Sequence, residues 1–362
     1  MFSGSYRPND VHILLKPIHI EDTPIAQKEY LIQSGQRHYS ELLSREQLPS
    51  ERYMQVFNLA FEQNRGRMAR DLLQLARLIA ATKQSEITLV SLARAGTPIG
   101  VILKHILQRY YQRNASHYSI SIIRDRGIDS NALRYILTQG HADSSIVFVD
   151  GWTGKGVITC ELKNSIAAFN QTFGVAISPD LYVLADLAGS AAIAASAEDY
   201  LIPSSILNAT ISGLISRSIL NRDHIQASDF HGCVYYQEFS PHDLSIWFVH
   251  AMLGSVDRLA QALGLEFVTT IDKQSLQITS KQFINTLMTS HHVHDVNRIK
   301  PGIGEATRVL LRRVPDLLIL RNQYDEAIQH LLILAEEKNV RVLIDPDLPY
   351  QAAALIKEVL HD

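Results

Sequence analysis

The chain has 362 residues, 46% of them hydrophobic and 20% charged, with a formal net charge of −3. That length exceeds one ordinary domain, so two or three units are expected, and the near-neutral balance supplies no general pull toward nucleic acid or anionic membrane. The two cysteines, Cys160 and Cys233, cannot by themselves build a disulfide framework or a four-ligand zinc site, and they fit a reducing cytoplasm.

The first twenty residues, MFSGSYRPNDVHILLKPIHI, are interrupted by Arg7, Asp10, His12 and Lys16, which breaks the apolar core a signal peptide needs. No stretch reaches the roughly 18 uncharged apolar residues of a membrane span, so no membrane association is expected. From Ser40 to Ala81 apolar residues recur three and four apart (Met54, Phe57, Phe61, Met68, Leu72, Leu75), which predicts a helical N-terminal segment over 1–85. From Glu86 the pattern becomes strand, loop, helix: EITLVSL, then a Gly/Pro turn and a helix through Tyr111; SHYSISII, then a helix closed by Gly140; SIVFVDG, then a helix through Phe173; and finally DLYVLAD. Such alternation implies an α/β fold over 86–265, a parallel sheet covered on both faces, with ligands at the carboxyl ends of its strands. A smaller α/β/α pattern occupies 266–362, with helices over SKQFINTLMTS and GIGEATRVLLRR, strands DLLILRN and VRVLID, and a final helix to Leu360.

Three strand ends carry chemistry. VFVDGWTGKG places Asp150 before Gly151, Gly154 and Gly156, followed by a helix. Glycines let backbone amides point into one concavity, and the helix start adds positive potential, a combination suited to a phosphate. Lys155 would add a charge and Thr153 a hydroxyl. A P-loop is disfavoured, because the glycine spacing differs and Gly156, not Ser or Thr, follows Lys155. SLARAGTPIG offers Arg94 and Gly96, which fit either a second anion loop or a plain turn. SIIRDRGID sets Arg124 and Arg126 around Asp125, suited to a multivalent anion or to a surface ion-pair cluster.

These segments, ARAG, RDRG and VFVDGWTGKG, together resemble the type I phosphoribosyltransferases, with the orotate phosphoribosyltransferase branch nearest. The resemblance implies an enzyme that binds phosphoribosyl pyrophosphate (PRPP) with Mg²⁺ held mainly through the pyrophosphate, and exchanges a group at ribose C1. It would place Asp150 on the ribose, Thr153, Gly154, Lys155 and Gly156 on the 5′-phosphate, and Arg94, Gly96, Arg124 and Arg126 on the pyrophosphate. That family has two adjacent acids in the loop; here Gly151 stands second.

GIGEATRVLLRR is a glycine-rich turn entering a helix with Arg308, Arg312 and Arg313, a basic start able to meet a phosphate backbone or to serve as a solvated face. It resembles the signature of the Pelota-like RNA-binding domains, which implies RNA contacts from Gly302, Glu305, Arg308 and Arg312. Gly304 stands where that family has a base-reading asparagine. Across almost its whole length the chain resembles one bacterial family found in tellurite and stress-resistance clusters, proposed to make a nucleoside-like product and also labelled StiP cysteine protease.

A protease needs a thiolate beside an imidazole or helix start. Cys160 is expected to point at the sheet, whereas Cys233 and His231 would share a strand face and could meet, although a buried cysteine and a hydrogen-bonded histidine are the commoner outcome. SHHVHD lacks a fourth metal ligand and reads as an exposed histidine cluster. PSSILNATISG could line an acceptor pocket or merely cap a helix. A non-enzymatic nucleotide- and RNA-binding regulator stays open beside the transferase and the protease, as does a homodimer.

Overall fold

All six positions of ITLVSL are buried, as a strand covered on both faces of a parallel sheet requires. The computed structural model describes residues 2–83, 86–265 and 270–358, so the expected boundaries at Ser85 and Glu266 lie outside the described residues. In chain order the first unit runs β1 (His12–Leu14), β2 (Lys16–Pro17), α1 (Ile25–Gln33), α2 (Glu51–Thr82), β3 (Ile87–Leu92), α3 (Gly96–Tyr110), β4 (Ala115–Ile120) and the short pair β5 (Ile122–Ile123) and β6 (Gly127–Ile128). It continues through α4 (Ser130–Thr138), β7 (Ile146–Thr153), α5 (Val157–Phe173), β8 (Leu181–Asp186), β9 (Ile193–Ser196), β10 (Gly232–Cys233) and α6 (Ser245–Leu263).

Six strands form a parallel sheet in the order β1-β4-β3-β7-β8-β9. The α/β class expected from the sequence is therefore present. The N-terminal region is not helical throughout, because His12–Leu14 pairs with Tyr118–Ile120 and supplies an edge strand. Helix α2 starts at Ser50, whose hydroxyl accepts the Tyr53 N–H. It buries Phe57, Met68, Leu72, Leu75 and Ile79 completely, against α3, α6 and one sheet face. Leu133 and Ile136 of α4 and Leu162, Ile166 and Phe169 of α5 cover the other face.

The second unit comprises α7 (Lys273–Ser290), β11 (Ile299–Pro301), α8 (Ile303–Arg312), β12 (Pro315–Leu320), α9 (Gln329–Glu337), β13 (Arg341–Ile344) and β14 (Ala352–Ile356), with strand order β11-β14-β12-β13. The expected final helix is instead strand β14, buried at all five positions between β11 and β12; Leu360 lies outside the described residues. The small apolar run AAALI would suit a helix, but ladder bonds on both sides overrule that preference. One apolar cluster spans both units, joining Leu72 and Ile202 to Ile303, Leu310 and Leu331. The buried Asp199 carboxylate ties them further by accepting the Ile303 N–H at 2.9 Å and the Gln351 N–H at 2.8 Å.

Candidate functional site

The chain from Asp150 to Thr153 belongs to β7 rather than to a loop, since Asp150, Trp152 and Thr153 pair with Val183, Ala185 and Asp186 of β8. Only Gly154, Lys155 and Gly156 make the turn into α5. Gly156 has φ +75°, and a Cβ there would come within 2.7 Å of Ser190 Cβ. The Gly156 amide and the Lys155 ammonium of this turn have partners within the protein. The Gly156 N–H donates to Thr153 Oγ1 at 3.2 Å, and the Gly151 N–H donates to Asp150 Oδ1 at 2.7 Å. Lys155 Nζ donates to the carbonyls of Val296 and Ile299, each at 2.8 Å, and so fastens the second unit to the first. Burial pushes the Lys155 ammonium down to about 7, with Lys300 adding repulsion. Burial also pushes Asp150 up to about 7.

A cleft of about 850 Å³ opens between the strand ends, the N-terminal segment and α8. It brings together Arg94, Arg124, Asp150, Thr153, Gly154, Lys155, Gly156, Glu305, Arg308 and Arg312 from the expected sites. Arg126, Gly96 and Gly302 do not line it. Arg126 is directed to Glu41 at 3.6 Å, on the β5–β6 hairpin that replaces the expected strand end. Gly96 lets α3 sit close to β7, where a Cβ would lie 2.7 Å from the Val149 carbonyl oxygen.

Among the described residues the cleft is lined by twelve lysines and arginines against five aspartates and glutamates. Arg94 is buried, donating to the Ile215 carbonyl at 2.7 Å and pairing with Glu46. Arg124 and Arg217 lie over the Tyr39 ring at 5.4 and 5.6 Å, and Arg124 reaches Asn297 Oδ1 at 2.9 Å. Arg308 lies over Trp152 at 5.7 Å and donates to Glu305 Oε1 at 3.0 Å. Burial alone would raise Glu305, but Arg308, Lys300 and Lys155 together hold it down to about 2. Sequence reasoning missed Glu46, Tyr39, Arg217 and Lys300. Only Arg217 left a signal, as the one charged residue between Tyr200 and Leu220.

The cysteines fall outside the cleft lining. Cys160 is exposed on α5, opposite the face formed by Thr159, Leu162 and Ile166, and not the core residue expected; its Sγ lies 3.8 Å from Asn164 Nδ2. Cys233 is fully buried, and burial pushes its thiol up to about 12. His231 Nδ1 is hydrogen-bonded to Ser121 Oγ at 2.8 Å, so the buried cysteine and hydrogen-bonded histidine weighed against a Cys233–His231 pair are what the structure contains. Among the described residues no hydrogen bond joins either sulfur to an imidazole. Nor does any group of three or more His, Cys, Asp or Glu suit a metal, and no helix is long and apolar enough to cross a membrane.

Fold and site thus define a two-unit α/β protein with a cationic cleft at its strand ends. Residues 4–253 match the model described as tellurite-like stress resistance cysteine protease StiP, and residues 278–358 match the PELOTA RNA binding domain. The protein named cysteine protease StiP of Acinetobacter baylyi (strain ATCC 33305 / BD413 / ADP1) is 43% identical over 369 residues, covering 99% of this chain and 95% of that protein. The chain belongs to the StiP family.

That membership overturns the expected phosphoribosyltransferase, because both comparisons name a cysteine protease. The Lys155 ammonium and the Gly156 amide, expected on a 5′-phosphate, have partners within the protein, and burial pushes Asp150, expected on ribose, toward its neutral form. The roles expected of Arg94, Gly96, Arg124 and Arg126 on a pyrophosphate leaving group fall with that reading.

Proposed function

We propose that the protein is a thiol-dependent peptidase of the StiP type that holds a negatively charged stretch of its substrate in the cleft. Family membership and the relative's name support hydrolysis through a thiol. The observation that carries the substrate preference is the surplus of lysine and arginine over carboxylate along the cleft wall.

Cys160 is the accessible thiol, and it lies one helical turn beyond Gly156, which lines the cleft. A chain anchored in the cleft by acidic side chains and leaving over the start of α5 passes that sulfur. The thiolate attacks the scissile carbonyl carbon, the amine departs with a proton, and water then hydrolyses the thioester to release the acid and restore the thiol. Cys233, sealed in the core with a raised pKa, is unsuited to this role.

The test is hydrolysis of an acidic fluorogenic peptide by the purified chain. Cys160→Ser should lower the rate by roughly a hundredfold or more, whereas Cys233→Ser should leave it near the parent value. Full activity in Cys160→Ser, or in the double variant, would sink the thiol mechanism. A second reading, RNA recognition by the C-terminal unit, is favoured by the match over 278–358.

A further inference from the structure

Arg94, Arg217 and Arg312 come from three separate places: the end of β3, the irregular segment before β10, and the last turn of α8 in the second unit. All three line the cleft, and Glu46 is the carboxylate set among them. Glu46 is 11% exposed and pairs with Arg94, while its second oxygen accepts the Ala209 N–H at 3.0 Å. Glu46 is thus shared among three guanidiniums, with Glu305 a second carboxylate acting on Arg312. Arg217 Nη1 and Arg312 Nε are shielded from solvent with no hydrogen-bond partner, although arginine N–H groups are expensive to strand. Repulsion from Arg94 bears on both: burial first, then Arg94, draws Arg312 and Arg217 below the usual arginine range. Arg94 and Arg217 also donate to the Ile215 and Leu42 carbonyls, but burying guanidiniums together in excess of carboxylate opposes folding. Guanidinium forks suit oxyanions, and they bind them in pairs.

We infer that Arg94, Arg217 and Arg312 form the subsite that holds clustered carboxylates of an acidic peptide, to which the second unit contributes Arg312 directly. This rests on reading the cleft as an anion site. The helix start that resembles an RNA-reading edge is then a wall of the cleft: Glu305 is set among Lys155, Lys300 and Arg308, and the partly exposed Arg308 lies over Trp152. The oxyanions are the clustered carboxylates of an acidic peptide, and Glu46 is the protein's own carboxylate already set among the same guanidiniums.

The experiment is titration calorimetry of the full chain with hexaglutamate and, separately, with inorganic pyrophosphate; binding of hexaglutamate supports the subsite, and binding of pyrophosphate alone overturns it. Arg217→Ala and Arg312→Ala should each weaken binding at least tenfold, and Glu46→Gln should strengthen it severalfold, an effect of opposite sign that a folding defect cannot mimic. Arg341→Ala, on exposed β13, should change nothing. Wild-type affinity in Arg217→Ala and Arg312→Ala, with loss in Arg124→Ala, would leave the anionic cleft standing and overturn the three-arginine site. Weaker binding in Glu46→Gln, or displacement of the bound anion by kinked duplex RNA at equal affinity, would overturn it too. Failure of the wild-type chain to bind either probe would remove both the site and the anionic-substrate half of the proposed function, while the Cys160 test stands by itself.

Discussion

Glu305 shows how a side chain acquires a role that its neighbours in sequence do not suggest. In GIGEATR it could have been a base-contacting residue; in the fold it is enclosed by Arg308, Lys300 and Lys155. Its folded pKa of about 2 lies below the ordinary 4.5, so its contribution to stability is fully present above pH 4.5 and is lost as pH falls toward 2. Glu305→Gln should therefore lower unfolding free energy by about 2 to 3 kcal/mol at pH 7, with a difference that narrows steadily in acid, as denaturant titrations at several pH values would show. An equal deficit at pH 7 and pH 2.5 would contradict this electrostatic account. Lys155 makes the same point from the other side. Its charge suggested a phosphate ligand, yet its ammonium is directed at two carbonyls of the second unit.

At the scale of elements, most strands and helices were legible, because apolar periodicity follows directly from burial on one or both faces. The departures arose where pairing partners, absent from local sequence, decided the outcome. AAALI became β14 because β11 and β12 flank it, and SIIRDRGI folded into the β5–β6 hairpin rather than extending β4. The entry to α8 was read correctly as a glycine-dependent turn, and the structure supplies the reason. Gly302 has φ +85°, and a Cβ there would lie 2.5 Å from Leu187 Cδ1. Gly302→Ala should cost about 2 to 4 kcal/mol, from left-handed backbone strain and steric conflict together. Gly35→Ala, with φ +71° but open space around it, should cost only about 1 kcal/mol. Equal midpoints for the two variants in urea would show that the close approach to Leu187 carries no cost.

At the scale of the whole molecule, the two units behave as one body because polar clamps flank a shared apolar cluster. Asp199 is central among the clamps. Burial pushes its carboxyl up to about 6, while the N–H groups of Ile303, Gln351 and Ala352 favour the charged form. Asp199→Ala should leave both units folded but speed amide hydrogen exchange of Ile303 and Gln351 by about five- to thirtyfold, corresponding to the loss of roughly 1 to 2 kcal/mol per charge-assisted clamp. Unchanged exchange at those amides would mean that the apolar cluster alone holds the units together.

The sequence by itself determined the α/β class, the parallel sheet, the existence of a second smaller unit and most of the cationic residues at the strand ends, because periodicity, glycine placement and charge are local properties. Only the tertiary structure decided which of those charges meet. It turned Lys155 into a clamp, removed Cys233 from solvent, exposed Cys160, and set Arg94, Arg217 and Arg312 around Glu46. Most of those outcomes depend on contacts between residues far apart in the chain, and chain spacing carries no record of them.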